Sequence, residues 1–221
     1  MHESTEVRDD LDLKYRIRAR AGATAPLAYF LHGRAGNYDA MWIFARALSS
    51  NWNIIAPQAV IVDPVLPHSP NGLSWWLADG AEDTAKKAAS AAGRFYDFYP
   101  LAEAAYRLKP VYRIAFGFSQ GAALLSYIIQ DRPLLFSAAA LLSGFVVESD
   151  KFNDLVMPRV FISHGTKDDI IDITHSRKGR DYLTAKGYEV SYHVEENLGH
   201  KVGSAAFRDL KDWVGNIPLS A

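Results

Sequence analysis

The chain of 221 residues contains no cysteine. That single absence excludes a disulfide framework, a thiolate zinc site and a cysteine nucleophile, so any covalent nucleophilic catalysis falls first to serine. No apolar run approaches the roughly 18 residues of a membrane-spanning helix. The opening "MHESTEVRDDLDLKYRIRAR" mixes charges and has no apolar signal segment. Blocks of like charge are missing as well, and the formal net charge is −1, which removes the basic footprint of a nucleic-acid binder. The expectation is a soluble, cytoplasmic protein with a small neutral or weakly charged partner, no nucleic acid and no membrane insertion. What the chain does have is apolar: 49% hydrophobic and 12% aromatic residues supply a sizeable core, and the length suits one α/β domain over residues 1–221.

Short β-branched or aromatic runs alternate with longer helical patterns, the signature of a mostly parallel sheet flanked by helices. Leu13 to Arg20 alternates apolar and charged residues and reads as an edge strand with one wet face. "PLAYFLHG" (Pro26 to Gly33) suits a central strand, "YDAMWIFARALSS" a helix and "WNIIAPQ" the next strand. Ala59 to Gly80, with three prolines, Asn71-Gly72 and two adjacent tryptophans, reads as a long loop. Ala81 to Leu108 is helix-favouring, and Pro100 is expected to divide it into two helices. "FSAAALLSG", "MPRVFISHG" and "YEVSYHV" read as later strands, with helices over Ile173 to Lys186 and Gly203 to Ile217. No tandem repeat and no domain linker are visible.

Between a buried strand and an amphipathic helix stands Gly117-Phe118-Ser119-Gln120-Gly121. It fits G-x-S-x-G, a sharp strand-to-helix turn that exposes a strained serine. The bare pattern arises by chance in about one chain in fifteen of this length, and its bland alternative is a turn with a helix-capping serine. Context has to decide. A serine hydroxyl needs a base, and the base needs a carboxylate to orient it. Downstream, "VFISHGTKDDIID" places Asp168 and Asp169 just beyond a strand end. Of the histidines that follow, His175 falls in an expected helix and His193 in an expected strand, whereas His200 lies in a glycine-containing loop before the last helix. His200 is therefore the candidate base.

A tetrahedral intermediate also requires backbone N–H groups for its oxyanion. Gln120, the residue after the serine, supplies one, and Arg34 in "LHGRAGNYDAM" is the candidate for the other. The Arg34 side chain needs no role beyond that of an exposed arginine. Leu73, Trp75, Trp76 and Leu77 on the long loop are candidates to line an acyl site, the alternative being that they pack onto the core. His32 has no second ligand at metal-site spacing and reads as a histidine hydrogen-bonded within its loop. No metal or other cofactor is called for.

Carried by "LHGRAGN", "SWW", "GFSQGAAL", "SHGTKDDIID" and the late "GH", the chain resembles the phospholipase/carboxylesterase family of α/β hydrolases from about Pro26 to Ile217. That group includes acyl-protein thioesterases and small bacterial carboxylesterases. The resemblance implies an α/β-hydrolase fold without a large lid, and an HGxxD pattern that lands on Asp168 rather than Asp169. It also implies an oxyanion donor in the backbone of Gln120. The family's Trp-Phe-Asp is here Trp75-Trp76-Leu77, which implies an altered acyl pocket. Proline is common in relatives at the positions of Asp169 and Asp172.

The expected function is hydrolysis of short- to medium-chain carboxylic esters by Ser119, His200 and Asp168 through an acyl-enzyme. The alternatives are an acyl-protein thioesterase or lysophospholipase activity with the same triad, and a non-catalytic ligand-binding protein on the same fold. A dienelactone-type hydrolase fits less well because it uses a cysteine, and a peptidase because no added domain restricts peptide access. A homodimer is compatible with the sequence, which fixes no oligomeric state.

Overall fold

Apolar residues occupy successive positions on both faces of the central strands, so the sheet has to be covered on two sides. The structure, a computed structural model, describes residues 5–63, 72–78, 83–149 and 156–217. Its strands are β1 (Glu6–Arg8), β2 (Tyr15–Arg18), β3 (Leu27–Leu31), β4 (Asn53–Pro57), β5 (Ile61–Val62), β6 (Leu73–Ser74), β7 (Arg113–Phe118), β8 (Ala138–Leu142), β9 (Arg159–Gly165) and β10 (Val190–Glu195). The helices are α1 (Thr84–Ala105), α2 (Gln120–Asp131), α3 (Ile173–Ala185) and α4 (Ser204–Gly215), with a 3-10 helix at Trp42–Ala47.

The main sheet has eight strands in the order β1-β2-β4-β3-β7-β8-β9-β10, and β5 and β6 form a separate two-stranded ribbon. From β4 to β10 all neighbours are parallel, while β1 and β2 add on antiparallel. Alternation along β3 divides the core: Leu27, Tyr29 and Leu31 face the side covered by α1 and α2, and Ala28 and Phe30 the side of α4 and the 3-10 helix. Phe30 stacks on Phe116 of β7 across that second side, with ring centroids 5.4 Å apart. This sandwich fixes the carboxyl ends of β3, β7 and β9, where the candidate residues begin.

Four local expectations are corrected. Leu13 to Arg20 does not form the sheet edge, because β1 pairs outside β2. Its outer face is not wet either: Arg18 is buried and its Nε donates to the Trp52 carbonyl at 3.3 Å, while the Arg16 guanidinium lies 4.2 Å from the centre of the Trp42 ring. The helix expected after β3 is the short 3-10 turn. Pro100 does not divide α1, which runs through it. Phe95 and Phe98 before the proline and Ala102 after it are buried on one stripe, and that packing outweighs the roughly 3 kcal/mol an interior proline costs. Within the long loop, residues 61–62 and 73–74 pair as the ribbon, and residues 64–71 and 79–80 lie outside the described residues. No helix among the described residues is long and apolar enough to cross a membrane.

Candidate active site

Ser119 sits between β7 and α2 at φ 53°, ψ −116°, a conformation that costs a non-glycine residue about 1–3 kcal/mol. A side chain at Gly117 would overlap the Gly121 backbone, and one at Gly121 would overlap the Leu31 and His32 carbonyls. The two glycines therefore let α2 start directly against β7 and β3. Ser119 occupies the N-cap position yet makes no side-chain cap bond. Its Oγ lies 3.0 Å from His200 Nε2 instead. The capping alternative is thus excluded by where the hydroxyl points.

His200 Nδ1 lies 2.8 Å from Asp168 Oδ2 and 3.1 Å from Oδ1, so Nδ1 carries the proton and Nε2 is left to accept from the serine. Asp168 also accepts the Ile170 and Ile171 N–H groups at 3.0 and 2.9 Å. Burial by itself would raise the Asp168 pKa. The Ile171 N–H, the His200 ring and the Ile170 N–H together outweigh it and hold the carboxyl below its ordinary range. Asp169, the other candidate acid, is exposed.

The loops bearing the acid and the histidine are tied into one unit. Thr166 N donates to the Glu195 carbonyl at 3.0 Å and Lys167 N to the Leu198 carbonyl at 2.8 Å. A side chain at Gly165 would overlap that Leu198 carbonyl. Ser143 Oγ donates to the Lys201 carbonyl at 3.0 Å. The Glu195 carboxylate caps α4 through Ala206 N at 3.2 Å and fills the space that a side chain at Gly203 would need.

Among the described residues, neither the Arg34 nor the Gln120 backbone N–H has a hydrogen-bond acceptor, so both are free for an oxyanion. The Arg34 side chain is not the exposed arginine expected: its Nε pairs with Asp63, which is 4% exposed. Trp75 and Trp76 are core residues, and Leu73 and Leu77 are half-buried. Trp75 stacks on His32 with centroids 5.1 Å apart and donates Nε1–H to the His32 carbonyl at 2.8 Å. His175 is exposed, and His193 stacks on Phe161 and contacts Asp209 at 3.0 Å.

Both ring nitrogens of His32 are engaged. Nδ1 donates to the Gly33 carbonyl at 2.7 Å and Nε2 accepts from Ala59 N at 3.0 Å. Burial lowers its pKa from 6.5 to about 4, against a smaller opposing effect of the Gly33 carbonyl. The unfolded chain therefore binds this proton first, and the stability held above pH 6.5 is lost as pH falls toward about 4. Chemical denaturation of the wild type is expected to lose up to about 3 kcal/mol over that window. A His32→Asn variant should start less stable and decline less steeply; an identical slope would refute this assignment.

Three contacts had no sequence signal beyond their residue types. His164, fully buried, places Nε2 2.8 Å from the Ile171 carbonyl and 3.3 Å from Asp168 Oδ2, supporting the acid loop. Gln120 holds the Trp75-Trp76 backbone with its side chain, and Asp63 holds Arg34.

Known proteins share the family and the fold. A family model described as Phospholipase/Carboxylesterase matches residues 14–217. No curated protein matches the chain by sequence. Among solved structures, esterase PE8 superposes with a TM-score of 0.81 at 23% identity, covering 94% of this chain and 100% of its own. A Mesorhizobium loti carboxylesterase gives 0.81 at 22%, covering 96% and 99%. A Bacillus cereus carboxylesterase gives 0.78 at 19%, covering 93% and 95%. At such identities these neighbours establish the shared α/β-hydrolase fold.

Proposed function

Since the chain belongs to the phospholipase/carboxylesterase family, we propose that it is a serine carboxylesterase acting on short- to medium-chain carboxylic esters. The observation that carries this reading is the unbroken hydrogen-bonded chain from Ser119 Oγ through the His200 ring to Asp168. Ser119 Oγ attacks the ester carbonyl carbon as His200 Nε2 takes its proton, and Asp168 stabilises the imidazolium that forms. The carbonyl oxygen, now negative, is held by the Arg34 and Gln120 N–H groups. Collapse of the intermediate breaks the ester C–O bond, and His200 returns the proton to the departing alcohol. Water then attacks the acyl-enzyme with His200 again as base, releasing the acid and restoring Ser119. Leu73 and Leu77, the half-buried members of their segment, contact the acyl chain in this reading.

The test is a rate profile over p-nitrophenyl esters of increasing chain length, with an acyl thioester included. Highest kcat/KM on short or medium esters supports the proposal, and a dominant thioester rate replaces it with a thioesterase. A protein that no fluorophosphonate labels would be a binding protein instead.

A further inference from the structure

The segment Ser74–Trp76 touches both sides of the candidate oxyanion site. On one side stands Gln120, directly after the nucleophilic serine. Its Oε1 accepts from Trp75 N at 2.8 Å and its Nε2 donates to the Trp76 carbonyl at 2.8 Å. These two backbone groups fix the orientation of the amide, and no carboxylate or aliphatic side chain of similar length serves both a donor and an acceptor. On the other side stands the loop after β3. Ser74 Oγ accepts from Ala35 N at 3.0 Å, Leu73 N donates to the Gly36 carbonyl at 2.8 Å, and Trp75 Nε1 donates to the His32 carbonyl at 2.8 Å.

Arg34 lies inside this stitched loop. Before it, the Gly33 carbonyl accepts from Gly36 N at 3.0 Å and from the His32 ring. After it, Ala35 stands at φ 52°, a conformation that a non-glycine residue keeps only where its surroundings impose it. The Ser74 hydroxyl is such a constraint. The two loops also abut, since a side chain on Gly33 would come 3.2 Å from Ser119 Cβ.

We propose that Ser74, Trp75 and the Gln120 side chain form a brace that sets the spacing between the Arg34 and Gln120 N–H groups. They are positioning residues for the oxyanion, and the two tryptophans are thereby core members of the catalytic frame before they are walls of an acyl pocket. The proposal rests on reading Ser119 as the nucleophile. The geometry accounts for the burial of Trp75 at 4% and Ser74 at 0% exposure. It also accounts for the glutamine side chain, whose role a backbone donor alone does not explain.

The experiment compares wild type with Gln120→Leu and Ser74→Ala in kcat, KM and the affinity for a trifluoromethyl ketone, whose hemiketal oxygen occupies the oxyanion position. Each variant should lose on the order of tenfold to a hundredfold in kcat, with KM within about twofold. Inhibitor affinity should weaken by the same factor as kcat, and the ester chain-length preference should stay unchanged. Should Gln120→Leu not accumulate as folded protein, Ser74→Ala, which loses a single hydrogen bond, gives the same readout. An altered KM or chain-length preference with inhibitor affinity retained would overturn the brace and make the segment a pocket wall; unchanged kinetics would overturn it too. A wild type that reacts with fluorophosphonate separates this failure from that of the esterase reading, because a wild type that does not react overturns both.

Discussion

Replacing Ser119 by alanine is expected to remove at least about four orders of magnitude of esterase turnover and all fluorophosphonate labelling, while the protein stays folded. The reason is local. Among the described residues, Ser119 Oγ bonds to His200 Nε2 and caps nothing, so its removal deletes the nucleophile without orphaning a helix end. Alanine keeps the same Cβ at the same φ of 53° and inherits the strain. Glycine at this position would relieve it, and Ser119→Gly should gain roughly 1 kcal/mol of stability with equal loss of activity. Steady-state rates and denaturation midpoints measured side by side check both halves. Retained activity in Ser119→Ala would move the chemistry elsewhere.

Gly121→Ala is expected to have the largest effect on stability. Its Cβ would overlap the carbonyls of Leu31 and His32, which are backbone atoms and cannot rotate away. Either α2 lifts off β3 or the end of β3 bends, and each displaces the elbow and the Gln120 N–H together. A loss of several kcal/mol is expected, with activity falling in whatever protein remains folded. Gly93 in α1 provides the opposite case, because a Cβ there meets nothing within 4 Å. Gly93→Ala should therefore stabilise by roughly 0.5–1 kcal/mol through helix propensity. Urea denaturation of the two variants decides it: equal midpoints would show that the close approach at Gly121 carries no energy.

How much of this was legible in the sequence depends on the range of the interaction concerned. The parallel strands, their order along the chain and the loops bearing Ser119, Asp168 and His200 were all readable, because alternation, turn residues and the strand-loop-helix grammar are local. The resemblance to the hydrolase family rested on those same short motifs. The bonds that give these residues their geometry were not readable. Gln120 reaches Trp75 across 45 positions, Trp75 reaches His32 across 43 and Arg34 reaches Asp63 across 29. No periodic pattern records such pairs.

The corrected elements follow the same division. Pro100 marks a break by propensity, and only the continuous buried stripe on α1 keeps the helix whole. Arg18 reads as solvent-facing from its charge, and only the carbonyls of the neighbouring loop make its burial tolerable. Trp75 and Trp76 read equally as the lining of an acyl site or as core residues, and only the clamp by Gln120 and the stack on His32 turn them inward. The sequence by itself determined which chemistry is present and in what order along the chain, because covalent neighbours and short-range sterics decide that. Tertiary structure alone decided which side chains meet, because those contacts join segments whose separation is set by the packing of the whole sheet.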